Sequence, residues 1–277
     1  MGNYIALLRL NKPIGILLLL WPTLWALWLA ACGMPDLKIL LIFVFGVIVM
    51  RSAGCVINDI ADRDFDRYVM RTQERPITSG KIALREAYLI FLLLVSLAFG
   101  LVSMLNYLTM ALACVGIIFV MVYPLLKRVT HLPQLGLGVT FSWGIPMAFS
   151  AVNGYLETGT GWLFLTAVVW TLMYDTLYAM TDRQDDIKIG LHSTAILFGR
   201  YDRLVIFLLQ SLVLALLFYC GIIFQLGKFY SAMLILVATL FFYQQYLIRE
   251  RDPLNCFRAF LNNNWVGLII FLGIVNA

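Results

Sequence analysis

Of 277 residues, 62% are hydrophobic and 13% are charged, with a mean hydropathy of +0.90 and a formal net charge of +5. A water-soluble domain carries roughly 25% charged residues, so these figures exclude a globule with a full polar coat and leave lipid as the main solvent. Five cysteines scattered through apolar stretches, with no CxxC pair, argue against a disulfide framework or a zinc site. The two histidines, His131 and His192, are too few and too separated for a metal cluster.

A bilayer-crossing helix needs about 20 apolar residues, and nine stretches predict one: 14–33, 38–57, 87–105, 107–126, 133–152, 161–180, 203–224, 229–248 and 259–276. The first follows Arg9 and Lys12 and ends near a lipoprotein-like Leu29-Ala30-Ala31-Cys32 box. Its apolar run is longer than the roughly 7–15 residues of a signal peptide, so it is read as a retained helix. Trp21, Trp25 and Trp28 recur along it near helical spacing, which predicts packing against neighbouring helices or lipid rather than a groove lining. Arg51 lies inside the second span. A short turn near Asn106 joins the third to the fourth. The fifth carries Gly136, Gly138, Gly144 and Pro146, which allow close packing or a kink. Asn262, Asn263 and Asn264 predict capping or interhelical hydrogen bonds in the last. No soluble domain interrupts the series, so a single domain over 1–277 is expected, with cytoplasmic cap loops near 67–86 and 183–200.

Charge sets the orientation. Alternate loops hold Arg9 and Lys12; Arg63, Arg67, Arg71, Arg75, Lys81 and Arg85; Lys127 and Arg128; Arg183, Lys188, Arg200 and Arg203; and Arg249, Arg251 and Arg258. The opposite loops hold only Lys38 and Lys228. Seventeen against two puts the N-terminus in the cytoplasm and, with nine spans, the C-terminus outside it. Basic residues so distributed serve topology, and no nucleic-acid partner is expected.

Topology does not explain the carboxylates. Eight of the fifteen acids fall in Asn58-Asp59-Ile60-Ala61-Asp62-Arg63-Asp64-Phe65-Asp66 and in the stretch from Asp175 to Asp186. If both are helical, at about 100° per residue, Asn58, Asp59, Asp62 and Asp66 share one face within an arc of about 100°, and Asp64 points away. Asp175, Asp182 and Asp186 fall within about 40°, with Tyr178 beside them. Acids stacked at i and i+4 repel unless a cation compensates. Two such oxygen-only stacks at one membrane face suit Mg²⁺, which is commonly shared with phosphate oxygens. The polar 71–81 segment follows the first stack, Lys188 follows the second, and Lys127-Arg128 end the fourth span; these basic residues suit a diphosphate.

Asn58-Asp59-x-x-Asp62-x-x-x-Asp66, followed by Arg71-Thr72-x-x-Arg75-Pro76-x-x-Ser79-Gly80, resembles the first signature of the UbiA-type membrane prenyltransferases. Tyr178-x-x-x-Asp182-x-x-x-Asp186, with Lys188-x-Gly190 and Ser193-Thr194-Ala195, resembles the second. Arg9-Leu10-Asn11-Lys12-Pro13-Ile14-Gly15, the Trp21–Trp28 segment, Tyr123-Pro124-x-x-Lys127-Arg128, His131-Leu132-Pro133-Gln134 and the run from Cys256 to Asn264 are similar to the bacterial branch that attaches an octaprenyl chain to 4-hydroxybenzoate.

The resemblance implies an all-α integral membrane fold of nine helices around a cavity open to the cytoplasm and sideways to lipid. It implies a bacterial inner-membrane enzyme of ubiquinone biosynthesis. Its substrates would be a polyprenyl diphosphate and 4-hydroxybenzoate, and its cofactor Mg²⁺. By motif position, Asp62, Asp66, Asp182 and Asp186 hold the metal, Asn58 and Asp59 assist, and Arg128, with Arg71, Arg75, Lys127 and Lys188, neutralises the leaving diphosphate. Tyr123 and Tyr178 offer aromatic faces to an allylic cation. For the acceptor carboxylate Arg9, Lys12 and Arg51 are available. Arg51 stands out, because an ionisable residue inside a span faces a cavity or a partner. Asp175 can pair with Arg51, orient the phenol or accept the proton, and pairing is the plainest expectation. Two rivals differ in what they require. A cation-coupled transporter would put its acids near the midplane, whereas these cluster at one membrane edge. Another aromatic or haem acceptor would keep the same acid signatures.

Overall fold

Two of the apolar helices do not stop where lipid would. In the computed structural model, which describes residues 2–68 and 72–277, α3 (Leu37–Asp66) and α8 (Thr158–Lys188) run for 30 and 31 residues. At a rise of about 1.5 Å per residue each is about 45 Å long, against about 30 Å of hydrocarbon. Each therefore carries its acids as a helical extension beyond the apolar segment. Helicity through both stacks, a condition of the facial pattern above, holds.

The described residues are helical, with no strand among them. Ahead of α3 come α1 (Gly2–Leu7) and α2 (Ile14–Ala30); between the long helices lie α4 (Leu84–Val102), α5 (Tyr107–Leu126), α6 (Pro133–Ser142) and α7 (Gly144–Asn153). After α8 follow α9 (Thr194–Phe198), α10 (Asp202–Ile223), α11 (Lys228–Leu247) and α12 (Pro253–Val275). Among the described residues, eight segments are long and apolar enough to cross a membrane, and the first stretch is a shorter apolar helix of 17 residues. The chain is a multi-pass membrane protein.

Three boundaries differ from the sequence expectation. The fifth span is one segment in two pieces, broken at Trp143, where Pro146 cannot donate the hydrogen bond a continuous helix needs. Its glycines bring neighbours close: a Cβ on Gly138 would stand 2.8 Å from the Val168 carbonyl oxygen, and one on Gly144 would stand 2.5 Å from Thr23 Oγ1. The last helix begins at Pro253, not 259, because the Asp252 side chain accepts from Asn255 N at 2.9 Å and proline suits the first turn. The segment after residue 71 is not a loose cap. Ile77 and Ile82 are buried in a small core with Leu7, Val56, Ala87 and Phe91.

The main core joins α2, α7, α8 and α10–α12. Trp25 is fully buried against Trp170, with ring centroids 5.1 Å apart, and Trp28 meets Phe271 edge-on at 4.9 Å. The tryptophans pack between helices, as their spacing suggested. The three asparagines bond between helices: Gln244 Nε2 donates to Asn262 Oδ1 at 2.9 Å, Trp170 Nε1 to Asn263 Oδ1 at 3.1 Å, and Trp21 Nε1 to Asn264 Oδ1 at 2.9 Å. Such bonds contribute about 1–2 kcal/mol each in a membrane protein. Asn263→Ala leaves the buried Trp170 N–H unpaired, so we expect a loss of about 1–3 kcal/mol. It should register as a lower thermal unfolding midpoint in detergent.

Candidate active site

Both acid-bearing tips open into one cavity of about 760 Å³. From α3 it is lined by Arg51, Asn58, Asp62 and Asp66, from α5 by Tyr123 and Lys127, and from α8 by Asp175, Tyr178, Asp182 and Asp186. The helical period puts these residues on the lining faces. The same period turns Asp64 outward, where it is 72% exposed and, among the described residues, bonds its neighbour Arg63 at 3.2 Å. Away from the acids the wall is apolar, with Leu18, Phe43, Val47 and Val102 among its residues.

Three α3 acids so close together need compensation, and cations from three other segments supply it. Arg75 Nη1 lies 2.7 Å from Asp66 Oδ2 and 3.1 Å from Asp59 Oδ1. Arg9 Nη2 reaches the same Asp59 oxygen at 2.8 Å, and Lys127 Nζ bonds Asp62 Oδ2. Burial pushes the Asp66 carboxyl above the ordinary carboxylate value, and Arg75 pulls it the other way. Asp59 is 1% exposed, as Asp62 is; its Oδ1 brackets Arg9 and Arg75, and its Oδ2 is buried without a hydrogen-bond partner. It positions Arg75. Arg9 bonds Asp59 and also lines the cavity, as does Lys12.

Several other expected residues fall elsewhere. Arg128 donates to the Ala61 carbonyl, on the α3 backbone between the acids, and is not part of the cavity wall. Lys188 is exposed and bonds Asp185 at 3.1 Å, so it faces solvent rather than the cavity. Arg71 lies outside the described residues. Arg51 and Asp175 share the cavity, but no ion pair joins them among the described residues. The Arg51 guanidinium lies 5.4 Å from the Phe141 ring centroid and against Gly15, where a Cβ would stand 2.5 Å from its Nε. That Nε is buried with no hydrogen-bond partner. Tyr178 packs on Phe260 at 5.0 Å and Phe257 at 6.3 Å, which fixes its ring beside Asp182.

Sequence reading missed other groups at the cavity. Tyr174, Thr181 and His192 line it, each with a buried polar atom that has no partner. The helical spacing of Tyr174 from Tyr178, and of Thr181 from both, is the signal that could have placed the first two. It also missed Asp202, fully buried at the start of α10. Asp202 accepts from Arg183 Nη1 at 2.9 Å and Arg251 Nη2 at 2.8 Å, and so ties the α8 tip, one residue beyond Asp182, to the α11–α12 connection.

The donor set fits a hard divalent cation. Asp62 Oδ1 is buried without a hydrogen-bond partner, and every acidic group lining the cavity offers oxygen. Among the described residues no three carboxylates, imidazoles or thiolates form a metal cage by themselves. A magnesium-like ion that completes its shell with ligand oxygens and water suits such a site.

Lipid-length helices around a cavity with an apolar wall and a mouth of carboxylates and cations define a membrane protein that holds an amphiphile by an anionic head. The model of the UbiA prenyltransferase family matches residues 19–269, and the chain belongs to that family. A 4-hydroxybenzoate octaprenyltransferase from Tolumonas auensis is 59% identical over 274 residues, covering 99% of this chain and 96% of its own. The apo structure of a UbiA homolog from Aeropyrum pernix K1 has a TM-score of 0.81 at 25% identity, over 95% of this chain and 97% of its own. A UbiA homolog from Archaeoglobus fulgidus, bound to GPP and Mg²⁺, has a TM-score of 0.73 at 16% identity, over 99% of this chain and all of its own.

Proposed function

We propose that this chain transfers a polyprenyl group, octaprenyl by likeness to its relatives, from its diphosphate to the ring carbon ortho to the hydroxyl of 4-hydroxybenzoate, a membrane step of ubiquinone biosynthesis. The observation that carries the reading is the joint opening of Asp62, Asp66, Asp182 and Asp186 into one cavity with an apolar wall. High identity to a 4-hydroxybenzoate octaprenyltransferase over almost the whole chain supports the acceptor and the donor.

Asp62, Asp66, Asp182 and Asp186, with Asn58, would hold Mg²⁺, and the partnerless Asp62 Oδ1 supports that role. Bound there, the ion supplies Lewis acidity to the leaving diphosphate oxygens. Arg75 and Lys127, already at the acids, supply further positive charge to the same oxygens. Arg128 and Arg71 are assigned supporting places around the diphosphate by motif, and Lys188 a more distant one. The C–O bond breaks with its electron pair on the diphosphate. The ring carbon then forms the new C–C bond, and its proton leaves. Tyr178, held by Phe257 and Phe260, and Tyr123 offer their faces to the developing allylic cation. Arg51, lodged against Gly15 with an unsatisfied Nε, takes the benzoate carboxylate. Asp175 faces the same space and orients the phenol or receives the proton.

The basic loops put the N-terminus and the acid tips on the cytoplasmic side and the C-terminus on the periplasmic side, and the whole chain serves as one domain. The test is purified protein in detergent with 4-hydroxybenzoate and prenyl diphosphates of several lengths. Product is expected with Mg²⁺ and none with EDTA. Absence of product with every donor would overturn the reading.

A further inference from the structure

Along α3 the cavity wall includes Ile42, Phe43, Gly46, Gly54, Asp62 and Asp66, a strip that winds around the helix from its acid-bearing tip toward its other end. From Asp62 to Ile42 is twenty residues, about 30 Å at about 1.5 Å per residue. That matches the thickness of the hydrocarbon core. The cavity thus extends the depth of the bilayer from a charged mouth whose Asp62 has a buried, partnerless oxygen. Two positions on this strip lack a side chain, and a Cβ on Gly46 or Gly54 would meet nothing within 4 Å. Both have ordinary helical backbone, so no turn requires glycine there. In a helix interior glycine costs about 1 kcal/mol relative to alanine, and neither residue is packed against a neighbour. What they leave is clearance in the groove.

Resting on the prenyl-transfer reading above, we infer that Gly46 sets the length of prenyl chain the groove accepts. Three main-chain bonds of extended polypeptide span about 3.3–3.6 Å, so the four bonds of an extended isoprene unit span about 5 Å. Gly46, sixteen residues from Asp62, lies about 24 Å along the helix, level with about the fifth unit of a chain whose diphosphate is held at the acids. Gly54, about 12 Å along, is level with the second or third. A geranyl chain ends before Gly46, whereas an octaprenyl chain must pass it. A side chain at 46 enters the path of the long donor and not that of the short one.

The experiment measures kcat/KM for octaprenyl and geranyl diphosphates with Gly46→Ala, Gly46→Leu and Gly46→Phe. Gly161→Phe is the control, because Gly161 also has open space at its Cβ but lies outside the cavity wall. The octaprenyl-to-geranyl ratio is expected to fall stepwise with side-chain size, by about tenfold or more in Gly46→Phe, the scale on which a filled apolar pocket rejects a substrate. The ratio should stay at the wild-type value in Gly161→Phe. A flat ratio across the three variants, or an equal fall for both donors, overturns the inference while leaving prenyl transfer intact. Wild-type protein inactive with both donors overturns the prenyl-transfer reading itself.

Discussion

Asp62→Ala and Asp182→Ala, made separately, each lower kcat by about a thousandfold or more. Metal assistance to a leaving diphosphate is worth several kcal/mol, and about 4 kcal/mol is a factor of about a thousand in rate. The two residues come from opposite halves of the chain yet line one cavity, so the loss should be similar from either side. Asp64→Ala, two residues from Asp62, is the matched control. Its carboxylate is exposed and, among the described residues, bonds Arg63, and surface pairs contribute about 0–1 kcal/mol. Its turnover should stay within about twofold of wild type. The discriminating measurement is a Mg²⁺ titration of the residual activity, which shifts to higher concentration in the Asp62 and Asp182 variants and stays in place for Asp64→Ala. Equal activity in all three variants is incompatible with the facial assignment of the acids.

Arg51→Leu produces the second large effect, confined to the acceptor. The guanidinium lies in the cavity wall, its buried Nε has no hydrogen-bond partner, and among the described residues no ion pair joins it to Asp175. A charge-assisted hydrogen bond to a carboxylate contributes about 2–3 kcal/mol, so KM for 4-hydroxybenzoate should rise about 30–100-fold. KM for the prenyl diphosphate should stay nearly constant, because Arg51 lies about 16 Å from Asp62 along α3 by helical rise. Arg51→Lys should recover part of the loss. An acceptor phenol without a carboxylate should be turned over equally by wild type and Arg51→Leu. A rise in donor KM of the same size would remove Arg51 from the acceptor site and give it to the diphosphate.

The two acid-bearing helix tips were legible before any coordinates, since a carboxylate every three or four residues at the end of an apolar run declares its own face. Asp64 could be set aside on the same ground. The partners of those acids were not legible. Asp59 shares the face of the expected metal ligands, but no local pattern shows that Arg9, fifty residues away in sequence, and Arg75 bond its Oδ1. Arg51 and Asp175 read as a pair because both are charges within spans, and in the structure they share the cavity wall without a hydrogen-bonded ion pair among the described residues. Asp202 gave no signal, since a single acid at the edge of an apolar run reads as a boundary residue rather than as the acceptor for Arg183 and Arg251.

What the sequence determined by itself is local: which stretches prefer lipid, how far each helix continues past it, and which side chains share a face. These follow from hydropathy and period summed over about twenty residues. Tertiary structure alone decided which cation neutralises which acid, which rings the tryptophans meet, and that the cavity continues from its charged mouth past Gly46. Each depends on the rotation and approach of helices distant in sequence, set by contacts such as Gly138 on Val168 and Gly144 on Thr23, and no pattern within one helix records them.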